Sequence, residues 1–126
     1  MCKKITLKHV ALQYSDINKA DDFFLKILGL KLEKKFVLSN DLTNKIFGVN
    51  KKVEIAVYGN NQIKFEIFIT SKINNYCFEH ICIEIKDKEK LIQNCKKFGL
   101  EPLFVKKENK TLLFIKDFSN NLYEIK

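Results

Sequence analysis

The sequence predicts an α+β fold of two βαβββ modules, whose strands form a curved, barrel-like mixed sheet with helices on the outside. Three features recur in the two halves: a histidine that opens an alternating strand, a helical segment that ends at a glycine, and a closing aromatic-Glu-Ile tripeptide. Repetition on this scale indicates a duplicated supersecondary unit. A chain of 126 residues has the length of one domain, so we expect the two halves to share it.

The opening strands carry the clearest part of the repeat. His9 is followed by Val-Ala-Leu-Gln, and His80 is followed by Ile-Cys-Ile-Glu. Strict alternation of apolar and polar residues is typical of a strand with one buried face. Each half is therefore expected to begin with a half-buried strand that has a histidine at its start.

A helix is predicted after each opening strand. Asp16 precedes the helical segment of the first half and Asp87 that of the second, and aspartate is a preferred helix N-cap. Apolar residues then recur at helical spacing. The segments end at Gly29 and Gly99, where glycine can take the left-handed conformation that stops a helix.

Three further strands complete each half. Turn-forming residues separate them, including Asn-Asn and Glu-Asn pairs. They are expected at 31–38, 52–58 and 62–70, and at 102–107, 110–116 and 121–126. The chain should then form a single domain over 1–126, with a first module at 1–70, a linker at 71–76 and a second module at 77–126.

The halves differ in one long insert in the first. Residues 39–51 separate two predicted strands and contain Leu42, Ile46 and Phe47. We expect a long, partly apolar loop there. Such a loop could close over a ligand, or it could plug the end of the sheet or form a subunit contact.

Strand alternation also places four ionisable side chains away from the helices. His9 and His80 alternate with the apolar residues that must contact the helices, and so do Glu66 and Glu124. A carboxylate that faces a sheet interior is unfavourable unless it is paired or coordinated. Two imidazoles and two carboxylates would compensate one another by sharing one divalent ion, and this donor set suits Ni, Zn, Co, Mn or Fe.

Composition excludes several classes of function. The net charge is +8, but every basic residue is a lysine, and arginine is the usual reader of base edges, so we expect no nucleic-acid partner. The charge favours an anionic small molecule instead. No apolar run reaches the length of a membrane span and the N-terminus has no signal-peptide pattern, so we expect a cytoplasmic protein without a membrane partner. The four cysteines show no paired spacing and are interpreted as buried free thiols.

These motifs together resemble the vicinal oxygen chelate superfamily, which includes glyoxalase I, methylmalonyl-CoA epimerase, extradiol dioxygenases and fosfomycin- and bleomycin-resistance proteins. The resemblance covers the whole chain and is most specific at its end, where residues 117–124 read D-F-S-N-N-L-Y-E. That segment is similar to the D-P-D-G-N-x-x-E ending of the family, with Phe118 and Asn120 in place of the usual proline and glycine.

The resemblance is greatest to glyoxalase I, because all four ligand positions are filled. It implies that His9, Glu66, His80 and Glu124 bind one divalent metal ion, and that Glu124 and Glu66 move a proton. The implied enzyme is a lyase or isomerase acting on a small substrate that chelates the ion through adjacent oxygens. Glutathione fits poorly as the thiol, because the chain has no arginine to hold its carboxylates.

Other family activities stay open at this point. The alternatives are a non-catalytic binding or resistance protein, an epimerase like that of methylmalonyl-CoA, and a metal-dependent thiol transferase. Members pair their modules within a chain or across a dimer, and we expect a homodimer. The substrate, an anion or a thiol adduct, should contact residues beside the ligands or in the insert: Gln13, Phe47, Phe68 and Cys82.

Overall fold

The computed structural model describes residues 5–71 and 78–126, and it confirms the predicted glyoxalase-like α+β fold. Eight strands form two four-stranded mixed sheets, with strand orders β1-β4-β3-β2 and β5-β8-β7-β6. The two sheets are open and do not close into a barrel within one chain. Residues 72–76 of the predicted linker lie outside the described residues.

The first sheet and its helices account for residues up to 69. Strand β1 lies parallel to β4, while β2, β3 and β4 form an antiparallel meander. Helix α1 runs without a break into one π-helical segment. The bounds are β1 (Val10–Tyr14), α1 (Ile17–Asp21), the π segment (Asp22–Ile27), β2 (Lys31–Leu38), α2 (Asn40–Phe47), β3 (Val53–Gly59) and β4 (Lys64–Ile69).

The second sheet repeats this topology with one helix fewer. Strand β5 lies parallel to β8, and β6, β7 and β8 form the meander. The turn between β6 and β7 is short, whereas the corresponding connection in the first sheet contains α2. The bounds are β5 (Ile81–Ile83), α3 (Lys88–Lys97), β6 (Leu103–Lys107), β7 (Lys110–Lys116) and β8 (Leu122–Ile125).

The predicted helix boundaries are confirmed by their capping geometry. The Asp16 side chain accepts a hydrogen bond from the backbone N–H of Asn18, and the Asp87 side chain accepts one from that of Lys90. Gly29 and Gly99 have φ angles of +73° and +82°, the left-handed region in which a side chain is strained. The same short polar and glycine signals therefore start and stop the equivalent helices.

One hydrophobic core joins the two modules. It contains the buried faces of both sheets, and Phe23 from the π segment contacts Tyr123 of β8 with ring centroids 5.1 Å apart. Tyr123 also lies edge-on to Phe65 of β4, at 6.5 Å. Helix α1, the π segment and α3 therefore pack on the inner side of the sheets, whereas α2 packs against Phe68 on the opposite side of the first sheet. The other side of each sheet, which we call its open face, points away from this shared core.

A buried polar cluster ties the last turn to the first strand. The Asp117 carboxylate accepts hydrogen bonds from the Tyr123 hydroxyl at 2.6 Å and from the Asn121 amide at 3.0 Å. The Asn121 amide also donates to the carbonyl of Gln13, and the Tyr14 hydroxyl accepts from the N–H of Phe118. Burial raises the pKa of Asp117 above its ordinary value, although these donors act in the opposite direction.

Two expectations about local structure are wrong. Most of the insert 39–51 is helix α2 rather than a loop, because Ser39 caps its start and Gly48 ends it with φ of +70°. Cys82 is exposed, since it lies on the open face, while Cys95 is buried in the core as expected. Burial raises the pKa of the Cys95 thiol to about 11. Cys2 and Cys77 lie outside the described residues.

Membrane insertion through a helix finds no support in the part of the chain that the structure describes. Each of its helices is too short or too polar to cross a bilayer.

Candidate metal centre

The first pair of predicted ligands lies on the open face of the first sheet. Glu66 of β4 is opposite Ala11 of β1, and His9 precedes β1, two residues before Ala11. This register brings His9 Nε2 within 3.5 Å of Glu66 Oε1. The two side chains are 45% and 25% exposed, so the pair is accessible to a ligand.

The second pair repeats this arrangement on the open face of the second sheet. Glu124 of β8 is opposite Cys82 of β5, and His80 lies two residues before Cys82. The distance from His80 Nε2 to Glu124 Oε1 is 3.4 Å, and the side chains are 40% and 19% exposed. The two halves therefore present nearly identical imidazole–carboxylate pairs.

The His80 ring has a defined orientation. Its Nδ1 lies 2.9 Å from the backbone carbonyl of Phe78, and because a carbonyl only accepts, Nδ1 must donate. In the neutral ring, Nε2 then carries a lone pair that faces the carboxylate of Glu124. A cation bound between these two atoms would satisfy both as acceptors. A second ring nitrogen held by a carbonyl is also the usual arrangement of a metal-binding histidine.

The separation within each pair fits two ligands of one ion. Nitrogen and oxygen donors at about 2.1 Å from a metal lie about 3.0 Å apart at a right angle and about 3.4 Å apart at a tetrahedral angle. The observed values of 3.4 and 3.5 Å are close to the tetrahedral value and exceed an ordinary hydrogen bond. The donor set present in each half therefore suits a divalent transition metal.

One chain does not gather the four predicted ligands. Across residues 5–71 and 78–126, no three histidine, cysteine or acidic side chains come close enough together to hold one ion. His9 and Glu66 form one pair, and His80 and Glu124 form another. Each pair belongs to the open face of its own sheet.

Three of the four predicted substrate contacts lie together. Gln13, Phe47 and Phe68 line one cavity of about 330 Å³ on the first sheet, between β1, β4 and the end of α2. Cys82 lies elsewhere, in a groove that it shares with Glu84 and Gln62. We call the first of these the α2 cavity. His9 and Glu66 do not line it; they line a separate cavity of about 400 Å³.

Sequence reasoning missed several residues of these sites. Lys51 and Thr70 line the α2 cavity, and Lys126 Nζ lies 3.5 Å from Glu124 Oε2. The alternation that located Glu66 and Phe68 also places Thr70 on the same face, and it places Lys126 beside Glu124. Lys51 had no comparable signal, because its position depends on how α2 returns the chain to β3.

Fold and site together define a duplicated βαβββ protein with one imidazole–carboxylate pair per module. The model of the Glyoxalase/Bleomycin resistance protein/Dioxygenase superfamily matches residues 6–125, which is nearly the whole chain. The chain therefore belongs to this superfamily, as its motifs predicted. Members of the superfamily bind divalent metal ions.

Solved structures of the superfamily share this fold. A glyoxalase family protein from Bacillus cereus is 19% identical, with a TM-score of 0.73 over 98% of this chain and 94% of that one. The fosfomycin resistance protein FosX from Listeria monocytogenes is 16% identical, with a TM-score of 0.72 over 98% and 93% of the two chains. A mutant of the same FosX, solved with Mn(II) and 1S,2S-dihydroxypropylphosphonic acid, has a TM-score of 0.73. No curated protein sequence matches the chain.

Proposed function

We propose that this protein is a divalent-metal-dependent lyase or isomerase of the glyoxalase I type, with a site completed by a second copy of the chain. The observation that carries the proposal is the duplicated pair. Each of the two open faces offers one imidazole nitrogen and one carboxylate oxygen at the separation of two metal ligands. His9 and Glu66 of one chain would meet His80 and Glu124 of the partner subunit around one ion.

Exposed apolar side chains on the open faces support pairing with a second copy. Leu103 and Val105 of β6 lie opposite Phe114 and Leu112, on the same face as Glu124, and are 54% and 38% exposed. On the first sheet, Phe47 at the end of α2 is 53% exposed. Apolar residues gathered beside a polar site commonly mark an interface or a ligand-binding surface. A homodimer that joins the first sheet of each chain to the second sheet of its partner would cover both.

The two carboxylates have different surroundings, which suggests different roles. Glu124 uses Oε1 toward His80 and Oε2 toward Lys126, so both oxygens face a basic group. Glu66 uses Oε1 toward His9, and its Oε2 is in no ion pair within the described residues. Because it is not held by a basic group of the described residues, Glu66 Oε2 is the better placed oxygen for accepting and returning a proton. Glu124 would act chiefly as a ligand.

The chemistry follows from this arrangement. A divalent ion bound by the four side chains would polarise adjacent oxygens of a substrate and so make the neighbouring carbon more acidic. Glu66 would remove the proton from that carbon at Oε2 and deliver it to the adjacent position. The apolar neighbours of the pair would limit exchange of this proton with water.

Mixed dimers test whether the site crosses two chains. The first-half variant carries His9→Ala and Glu66→Ala, and the second-half variant carries His80→Ala and Glu124→Ala. Each alone should lose metal and activity, because every composite site contains a damaged pair. A purified heterodimer of the two should regain about one ion per dimer, since a twofold dimer then contains one intact site and one doubly damaged site.

A second mixture provides the control. It joins a wild-type chain to a chain that carries all four substitutions. If the sites are composite, both sites of this dimer lack one imidazole–carboxylate pair and bind no ion. If each site lies within one chain, the dimer keeps one ion. Metal in this control and none in the mixed variants would overturn the two-chain arrangement. A wild-type protein that takes up no Ni, Co, Zn, Mn or Fe would overturn the metal-dependent function itself.

A second candidate is a resistance protein that acts on a phosphonate. It is favoured by the fold shared with FosX, which was solved with Mn(II) and a phosphonic acid, and by the +8 charge of the chain. A Mn-loaded Glu66→Gln variant separates the two candidates when it is tested with fosfomycin, with and without a thiol. Full consumption of fosfomycin would favour the resistance protein, whereas inactivity toward fosfomycin in the wild type as well would favour the lyase or isomerase.

A further inference from the structure

We infer that the α2 cavity binds an amphipathic monoanion, with its apolar body against Phe47 and Phe68 and its anionic group at Lys51 and Thr70. The claim that such a molecule binds to this cavity does not depend on the proposed function. The further claim that the bound molecule is the substrate rests on the proposed function. The inference thereby gives a chemical class to a substrate that the metal ligands alone leave open.

The cavity has apolar walls. Phe47 of α2 meets Phe68 of β4 edge to face, with ring centroids 5.4 Å apart. Ala11, Val49 and Val53 continue this apolar lining. At about 330 Å³ the cavity lies at the lower end of the range for small-molecule sites. Since a water-sized group takes about 30 Å³, the cavity has room for roughly ten methylene-sized groups.

Two polar residues of the cavity lining, Lys51 and Thr70, lie side by side. Lys51 Nζ donates a hydrogen bond to Thr70 Oγ1 at 2.8 Å, and both residues line the cavity. Lys51 is in no ion pair with an acidic residue of the described chain, so its charge is available to a ligand. An ammonium group beside a hydroxyl provides donors for a carboxylate, sulfonate or phosphonate oxygen. A cationic ligand would be repelled here.

The direction of β4 connects this cavity to the metal centre. Glu66 and Phe68 of β4 and Thr70, which directly follows this strand, alternate along the chain and so share the open face. Four residues of strand extend about 13 Å, so a molecule of that length could reach from Lys51 and Thr70 to the carboxylate of Glu66. Its oxygenated carbon would then lie at the proton-transfer site while its apolar body fills the cavity.

Binding of simple amphiphiles tests the inference. Calorimetric titration of the metal-free protein should show that decanoate binds, while acetate and decylamine bind at least tenfold more weakly. Acetate lacks the apolar body, and decylamine has the wrong charge. Decanol should be intermediate, because it retains the apolar body without the ion pair with Lys51.

Two variants and two matched controls locate the site. Lys51→Met should weaken decanoate about tenfold and leave decanol unchanged, since it removes a charged donor and keeps a chain of similar length. Phe47→Ala should weaken both about tenfold. The controls are Lys52→Met, an exposed neighbour that does not line the cavity, and Phe104→Ala, which is 54% exposed against 53% for Phe47. Both should bind decanoate as the wild type does.

Each outcome decides the inference. Equal losses in the variants and their controls, or decylamine binding as well as decanoate, would overturn it, because the amphiphile would then be adsorbing to the general surface. Metal content of the Phe47→Ala and Lys51→Met proteins should equal that of the wild type, so failure of amphiphile binding leaves the metal-dependent function standing. If the mixed-dimer test fails while decanoate binding persists, the cavity remains and only its role as a substrate site is lost.

Discussion

The two imidazole–carboxylate pairs have nearly the same separation but different surroundings. His80 is fixed through its Nδ1 by the Phe78 carbonyl, and its ring lies 6.4 Å from that of Phe114. Across the described residues His9 has no such contact through its second ring nitrogen, and its half contains helix α2 and the cavity beneath it. The two halves therefore have the same imidazole–carboxylate pair, but the residues that surround the pair differ. In the proposed centre, the second module would orient its metal ligands more firmly, and the first would admit and select the bound molecule.

The largest expected effect separates the two carboxylates. Glu66→Gln should lower turnover about 100- to 10,000-fold and keep the metal, because the amide can still coordinate through oxygen but cannot accept a proton. Glu124→Gln should mainly weaken metal binding. Single-turnover kinetics with elemental analysis of each variant checks this. Equal losses of turnover at full metal occupancy would contradict the assignment of Glu66 as the base.

Removal of the buried carboxylate Asp117 should have the next largest effect. Asp117→Ala should lower the free energy of unfolding by about 3–5 kcal/mol, because Tyr123, Asn121 and two backbone N–H groups lose their acceptor inside the protein. The turn between β3 and β4 offers the matched control. Asn60 accepts from the N–H groups of Gln62 and Ile63 in an exposed position, so Asn60→Ala should cost about 1 kcal/mol. Denaturant unfolding of both variants measures the difference.

The two histidines should differ by a smaller factor. His80→Ala should weaken metal binding about tenfold more than His9→Ala, because the wild-type ring of His80 is already oriented by the Phe78 carbonyl. Competitive titration with a metal-binding dye gives both dissociation constants. Equal losses would mean that this orientation contributes nothing to affinity.

The smallest expected effect compares one buried tyrosine of each module. Burial raises the pKa of Tyr58 in the first module and that of Tyr123 in the second above the ordinary 10.0. Their phenols stay protonated in the folded chain, while those of the unfolded chain ionise. Stability is therefore lost as the pH rises above 10, by up to about 1.4 kcal/mol per unit for each tyrosine. Tyr58→Phe and Tyr123→Phe should each reduce that slope by the same amount, as measured by unfolding between pH 9 and 11.

Much of the fold could be predicted because its signals are local. Alternation placed Glu66 and Glu124 on the open faces, and the caps at Asp16 and Asp87 marked the helices. Helix α2 also had local signals in Ser39 and Gly48, but the length of the insert favoured a loop. Cys82 was predicted to be buried like the other cysteines, but the open face of one chain leaves it exposed.

The arrangement of the two halves could not be predicted from local pattern. The alternation of apolar and polar residues shows on which face of a strand a residue lies. It does not show whether the equivalent faces of two sheets point toward or away from each other. That choice depends on long-range packing, such as the contact of Phe23 with Tyr123 in the shared core. The sequence therefore indicated four ligands, while their division into two pairs within one chain became visible only in the folded structure.

Helix α2 has a stereochemical consequence, because it occurs in only one module. Two equivalent carboxylates on opposite sides of a planar carbon would have no reason to prefer one of its faces. An anchor present on one side alone would fix which way round a bound molecule lies, and with it the face of the planar carbon to which the proton is delivered. In the proposed centre, the handedness of the product would be decided by a short insertion outside the ligand set.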